Sequence, residues 1–306
     1  MDESTNMGND RLTGLRAYIT VNLSIRRQLG RQIMPLNRVN DGGLVLLGCG
    51  KMGSAMLKGW LAQGIDPNTV TIIEPHPSVW VSGLVSDGIA LNRKLPDAPA
   101  VVIVAVKPQM MGDALPGLQA LGNGSTVFIS IAAGTQISAF EDILGADTPI
   151  IRAMPNTPAA VTKGITALIG NICAVEADLV MAEGLLQAIG QTVRLDEESQ
   201  MDAVTAVSGS GPAYVFHLIE TLAAAGVAEG LPDALAMQLA KATVAGAGVL
   251  AEEASEDPSQ LRVNVTSPAG TTASALEVLM NEVDGFSPLL KRCVKAAADR
   301  SRELGK

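Results

Sequence analysis

The chain reads as an α/β protein, a doubly wound parallel sheet followed by an all-helical domain, and three observations predict this. From Gly43 onward short apolar runs alternate with helical stretches, the pattern of a parallel sheet with crossover helices. The first run, residues 44–47, stops at Gly48-Cys49-Gly50-Lys51-Met52-Gly53 and continues as an amphipathic segment, so a strand feeds a helix through a three-glycine turn. Near Asp196 the pattern changes, and from Gln200 the chain is a succession of helices rich in Ala and Gly with no clear strand. A length of 306 residues accommodates both domains, each with its own core.

Charge and composition narrow the partners. With 22 basic and 31 acidic residues the net charge is −9, so no global field draws the chain to nucleic acid or to an anionic membrane, and a small molecule is the default partner. Cys49, Cys173 and Cys293 lie far apart and His76 and His217 stand alone, which leaves no metal-ligand spacing and no disulfide framework. No apolar run approaches the roughly 18 residues of a membrane helix, and a soluble, cytoplasmic protein is expected. Residues 1–41 are unlike the rest. From Arg11 to Arg38 they hold six arginines and no acid, as organelle-targeting segments do, although the start at Met1-Asp2-Glu3 does not fit; an upstream start codon ahead of Met34 is the competing account. The expected organisation is an extension over 1–41, dispensable for activity, a nucleotide-binding domain over 42–196 and a helical domain over 197–306.

Taken in order, the glycine turn comes first. Its first glycine permits the tight turn, its second lets a phosphate approach the backbone, and its third lets helix and strand pack closely. The helix, expected over 54–63 and ended by Gly64, offers unpaired N–H groups to a pyrophosphate. Such a turn also joins strands to helices where no ligand binds. The second strand, 70–73, favours the dinucleotide reading: it ends at Glu74, about 20 residues past the turn, where this fold places an acid on the ribose hydroxyls. A carboxylate there repels a 2′-phosphate and no arginine follows in Pro75-His76-Pro77-Ser78, so Glu74 favours NADH over NADPH. A short strand over 88–90 leads to Asn92, and residues 100–106 form an apolar run suited to a strand buried on both faces. Strands are further expected over 126–131, 149–153, 164–169 and 192–195, with a helix over 175–189. The small residues Ala132-Ala133-Gly134 let a flat ring approach, and Met154-Pro155-Asn156-Thr157-Pro158 forms a rigid exit.

In the helical half, helices are expected over 201–207, 213–226, 232–253, 271–281 and 286–304. Small residues between Ala240 and Gly248 allow close helix approach, and an apolar surface of this size calls for a homodimer. Two turns stand out: Ser208-Gly209-Ser210-Gly211-Pro212, and Thr266-Ser267-Pro268-Ala269-Gly270-Thr271-Thr272. The second joins a Pro/Gly turn to a helix start, and its N–H groups and hydroxyls suit either a substrate carboxylate or a simple N-cap. There is no Ser-His-Asp set and no paired carboxylate at a glycine-rich cleft, an absence that suits hydride transfer, where the cofactor carries the difficult step.

Five ordered segments, G-C-G-K-M-G (48–53), A-V-K-P (105–108), R-A-M-P-N-T-P (152–158), D-A-V-T-A-V-S-G-S-G-P-A-Y (202–214) and S-P-A-G-T-T (267–272), closely resemble pyrroline-5-carboxylate reductase over about residues 43–304. The resemblance implies a Rossmann-like domain followed by a helical dimerisation domain, assembled as a homodimer and in some members as a larger ring. It implies reduction of 1-pyrroline-5-carboxylate to L-proline with NADPH or NADH, the last step of proline synthesis. Carried over by position, it assigns Gly48, Cys49, Gly50, Lys51, Met52 and Gly53 to the pyrophosphate. Asn92, Ala105, Val106, Lys107 and Pro108 go to the rest of the dinucleotide, and Ile131, Ala132 and Ala133 to the nicotinamide end. Glu198, Asn264, Ser267, Gly270, Thr271 and Thr272 surround the substrate, with Thr272 the hydroxyl nearest the imine. Two departures stand out: Ala269 replaces the first glycine of the usual S-P-G-G-T-T, so that backbone position must tolerate a Cβ, and Glu74 is at odds with the family's common NADPH preference. The rivals are a β-hydroxyacid dehydrogenase and a nucleotide-binding sensor without turnover. The first needs a lysine a turn beyond a glycine motif, where this chain has Val215, and the second is at odds with an intact Glu198 and Thr272.

Overall fold

The computed structural model describes residues 37–305, so expectations for residues 1–36 lie outside the described residues. Two compact units divide between Glu198 and Ser199, near the point where strands give way to helices in the sequence.

The first unit holds an eight-stranded sheet of order β3-β2-β1-β4-β5-β6-β7-β8. Its strands are β1 (Leu44–Leu47), β2 (Val70–Ile73), β3 (Ala90–Leu91), β4 (Val101–Val104), β5 (Val127–Ser130), β6 (Ile150–Met154), β7 (Gly164–Gly170) and β8 (Gly190–Arg194). The accompanying helices are α1 (37–42), α2 (Lys51–Ala62), α3 (Val79–Gly83), α4 (Met111–Ala114), α5 (Ile137–Leu144) and α6 (Glu176–Leu186). β1, β4 and β5 are buried throughout because alternate residues feed two cores. Leu44, Leu46, Val101, Ile103, Val127 and Ile129 pack on one face with Met56, Leu57 and Trp60 of α2 and Met181 and Leu185 of α6. Val45, Leu47, Val102, Val104 and Phe128 pack on the other with Leu115, Leu118, Phe140 and Leu144. A sheet covered on both faces has no polar side to show, which is why these runs are continuously apolar. The Trp60 indole N–H, fully buried, donates to the Leu185 carbonyl at 2.8 Å and ties α2 to α6.

Two expectations are corrected in this unit. β7 runs antiparallel to β6, pairing Met154 with Ala167 and Ile151 with Gly170, so the sheet is mixed rather than parallel. The connection, residues 155–163, carries only the short 3₁₀ turn Thr157–Val161, and a parallel return needs a crossover of about a dozen residues or more. The other correction concerns residues 38–41, expected within a dispensable extension. Val39 is fully buried in the core, Arg38 Nη1 meets Asp178 Oδ1 at 2.6 Å, and Asn40 Oδ1 accepts the Asp66 N–H at 2.9 Å. These residues belong to the fold.

The second unit is helical, with α7 (Met201–Val204), α8 (Gly211–Ala228), α9 (Asp233–Glu253), α10 (Pro258–Asn264), α11 (Thr271–Leu279) and α12 (Phe286–Leu304). The segment 208–212, expected as a turn, instead carries the helical path onward. Thr205–Gly209 forms a π-helical turn, closed by the Ser210 N–H donating to the Thr205 carbonyl at 2.8 Å and braced by the Tyr214 hydroxyl on the Ala206 carbonyl at 3.0 Å. Pro212 stands in the first turn of α8, where a missing N–H costs no intrahelical bond, so it does not break the path. α10 was not expected; its signal, Asp257 before Pro258 at the first helical position, is present but spans only seven residues. α8 and α9 form a hairpin packed through Ala223, Ala236 and Ala240, and Ser301 of α12 donates to Asp202 Oδ1 of α7 at 2.6 Å. By length and composition alone α9 is long and apolar enough to cross a membrane, although Gln238 and Lys241 interrupt its apolar residues. Of its 21 residues only Ala236 and Ala240 are buried within one protomer.

Candidate active site

Register places the cofactor candidates. Leu47 pairs with Ile73 and with Val104, and Val104 with Ser130, so the carboxyl ends of β1, β2, β4 and β5 are level. Gly48–Gly53, Glu74, Ala105–Pro108 and Ile131–Ala133 all leave from that one edge, and Asn92 follows β3 directly. β1 and β4 are the neighbours between which the strand order reverses, where open α/β sheets form their ligand crevice.

The three glycines differ physically. Gly48 has φ +89°, and a Cβ on it would lie 2.9 Å from the Ala105 carbonyl oxygen. A Cβ on Gly53 would lie 2.6 Å from the Gly48 carbonyl oxygen, so its hydrogen is what lets α2 start against the turn. A Cβ on Gly50 would meet nothing within 4 Å, which leaves the main chain open on that side. α2 begins at Lys51, earlier than expected, with Gly50 as N-cap, no capping side chain and no acid in its first turn. Bare N–H groups and a missing Cβ at the switch point are what a diphosphate requires, so the residues present fit a dinucleotide. Within that turn Lys51 is exposed and Met52 packs partly against the core.

Glu74 sits where the ribose acid was expected, held from three sides. Its Oε2 accepts the Cys49 N–H at 2.8 Å and its Oε1 the His76 N–H at 3.0 Å. Asn92, at φ +51°, accepts the Glu74 N–H through Oδ1 at 2.8 Å and donates through Nδ2 to the Glu74 carbonyl at 2.9 Å. The Asn92 amide thus braces the end of β2. Burial pushes the Cys49 thiol up, against a smaller opposing effect of its hydrogen bond with Ser54, and the Glu74 charge pushes the same way as burial. That makes Cys49 a small packing residue rather than a nucleophile. Ala105 and Val106 are half-buried, Lys107 and Pro108 exposed, and the Ala132 N–H donates to the Ser130 hydroxyl at 3.2 Å between the half-buried Ile131 and Ala133.

Glu198, the last residue of the first unit, is not a free carboxylate. Its Oε1 meets Arg152 Nη1 at 2.7 Å and accepts the Ile137 N–H at 2.9 Å. Arg152 carries no role in the sequence reading, though it opens the R-A-M-P-N-T-P segment. The signal that finds it is physical: an arginine in an apolar β-strand is buried, and a buried guanidinium requires an anion.

In the second unit Asn264 closes α10, with its Oδ1 accepting from Gln260 Nε2 at 2.8 Å. Residues 265–270 then lead into α11, with Ala269 at φ +58° and the Gly270 N–H donating to the Ser267 carbonyl at 3.1 Å. The N-cap is Gly270, without a capping side chain, and Thr271 and Thr272 are the first two helical residues. The Ser/Thr N-cap alternative is therefore not how this turn is built. Its N–H groups remain open to an anion, and Thr272 is half-buried beside them. Among the described residues no cluster of His, Cys, Asp or Glu could hold a metal ion.

Comparison with known proteins bears on both units. Residues 198–304 match the family model described as pyrroline-5-carboxylate reductase dimerisation, and residues 44–134 that of coenzyme F420-dependent NADP oxidoreductases. The chain is 36% identical over 269 residues to the pyrroline-5-carboxylate reductase of Corynebacterium melassecola, covering 86% of this chain and 98% of that one. Its fold is similar to the Coxiella burnetii pyrroline-5-carboxylate reductase, with a TM-score of 0.80, 32% identity and coverage of 87% and 99% of the two chains. The Plasmodium falciparum pyrroline carboxylate reductase, solved with NADP bound, gives a TM-score of 0.74 at 29% identity, covering 86% and 98%.

Proposed function

The chain belongs to the pyrroline-5-carboxylate reductase family: it is an NAD(P)H-dependent oxidoreductase that reduces 1-pyrroline-5-carboxylate to L-proline, the last step of proline biosynthesis, and we propose the following division of that work among its residues. A reduced nicotinamide dinucleotide supplies the hydride. The uncapped start of α2 with the open Gly50 backbone is the observation that carries the reading, and it supports Gly48–Gly53 as the pyrophosphate site. Ala105–Pro108 and Ile131–Ala133 line the edge on which the rest of the dinucleotide lies. Glu74, fixed by Cys49 and His76, accepts from ribose hydroxyls and repels a 2′-phosphate, which favours NADH.

In the second unit the first-turn N–H groups of α11 hold the substrate carboxylate, with Ser267, Gly270 and Thr271 shaping the turn and Asn264 at its entrance. Thr272 Oγ1 is this unit's group for the ring nitrogen; in the first unit Glu198 is the carboxylate that the family resemblance assigns to a protonated imine. Hydride addition to the C=N carbon neutralises the iminium charge, so the protein has to orient two reactants and hold one proton rather than supply a strong base. The second unit also forms the homodimer. α9 leaves nearly its whole surface, including Leu235, Leu239, Val249 and Leu250, uncovered in one protomer, and a matching copy buries it.

The test is direct: add 1-pyrroline-5-carboxylate to the protein with NADH and, separately, NADPH, and follow loss of reduced nicotinamide absorbance. Turnover with a higher kcat/KM for NADH is expected. No turnover with either cofactor overturns the site assignment.

A further inference from the structure

We propose that Arg152 and the main-chain N–H of Ile137 are positioning groups for the reaction, turning the Glu198 carboxylate so that one oxygen is committed to the protein and the other is offered to the substrate nitrogen. The proposal rests on the reading that Glu198 contacts the imine. The side chains are unequally buried: Arg152 is 5% exposed and Glu198 31%. An ion pair that only filled the interior would be closed on both sides, whereas this one is closed at the arginine and open at the carboxylate. Both contacts converge on Oε1, at 2.7 Å from Arg152 Nη1 and 2.9 Å from the Ile137 nitrogen. Ile137 is the first residue of α5, so its N–H has no intrahelical partner and is free to donate outward. The two donors come from unlike directions, a β6 side chain and a helix start, and together they restrict rotation of the carboxylate. Oε2 takes neither bond, and an iminium or amine N–H is the donor it suits.

Because the pair uses a single guanidinium nitrogen, lysine at 152 can in part replace it, whereas methionine of similar volume cannot. The experiment is a double-mutant cycle on kcat/KM for 1-pyrroline-5-carboxylate, using R152M, E198Q and R152M/E198Q, with R152K as the conservative variant. R152M and E198Q are each expected to lose about tenfold in kcat/KM, with the KM for the nicotinamide cofactor within about twofold of the parent. If Arg152 acts through Glu198, the double variant falls no more than about twofold below the weaker single one, and R152K recovers most of the loss. Additive losses near a hundredfold, or a normal R152M beside an impaired E198Q, overturn the positioning role. Should R152M fail to fold, R152K decides: a loss as large as that of E198Q overturns it. An unimpaired E198Q instead overturns the underlying reading that Glu198 meets the substrate.

Discussion

Replacing each glycine of the β1–α2 turn by alanine separates what folds the turn from what binds the cofactor. At Gly48 alanine must adopt φ +89° and place its Cβ 2.9 Å from the Ala105 carbonyl oxygen. A left-handed conformation costs about 1–2 kcal/mol and overpacking about 1–3 kcal/mol more, so G48A loses roughly 2–5 kcal/mol. At Gly53 the backbone is helical and alanine gains up to about 1 kcal/mol of propensity, but its Cβ lies 2.6 Å from the Gly48 carbonyl oxygen, main chain that cannot rotate away. G53A therefore loses about 1–2 kcal/mol net. Gly50 is extended, at φ −69° and ψ −156°, with open space before it, so G50A folds within about 0.5 kcal/mol of the parent. Its methyl instead stands where a phosphate approaches. Loss of one charge-assisted hydrogen bond, about 1.5–3 kcal/mol, raises the cofactor KM roughly ten- to hundredfold. Thermal denaturation and KM for both nicotinamides, measured on the three variants, give the comparison. A G50A protein that melts like G53A, or that binds cofactor like the parent, refutes the assignment of the pyrophosphate to this turn.

Other outcomes follow from single positions. Ala269, at φ +58°, carries a left-handed cost of about 1–2 kcal/mol that glycine removes, offset by about 0.4–1 kcal/mol of unfolded-state entropy, so A269G raises the melting temperature by a few degrees; a drop would show the turn depends on that methyl. E74S removes the charge set against a 2′-phosphate and improves NADPH relative to NADH in kcat/KM; equal ratios before and after would mean Glu74 does not read the ribose. T272A lowers kcat by about tenfold or more if its hydroxyl bonds the ring nitrogen in the transition state, and an unchanged kcat removes it from the mechanism. Since burial holds the Cys49 thiol above its ordinary range, iodoacetamide at neutral pH modifies Cys173 and Cys293 first, as peptide mapping would show; early labelling of Cys49 contradicts its packing role.

Much of the plan was legible from local pattern. β1 and β2 begin and end where the apolar runs do, and α12 matches its expected span residue for residue. The cofactor candidates were legible because each follows a strand, and strand ends are marked in sequence by the change from apolar to polar or glycine. The misses have specific causes. The β6–β7 pair could not be read because alternation of apolar runs says nothing about strand direction, which the nine-residue link 155–163 decides. α10 was too short to show periodicity. The π turn at Thr205–Gly209 was hidden because its Ser, Gly and Pro residues carry a turn signal that the surrounding helices override.

The sequence by itself determined the order of the elements, the place of the three-glycine turn and the acid at Glu74, since backbone conformation and one-dimensional periodicity depend on near neighbours. Only the tertiary structure decided which glycine faces open space, that Glu74 closes onto the Cys49 N–H, and that Arg152 and Glu198, 46 residues apart, form one unit with the first N–H of α5. The physical reason is that burial makes such pairings necessary and packing makes them specific. A guanidinium on β6 could be buried under an apolar layer only where the fold returned a carboxylate to it, and no local feature of either segment names the other.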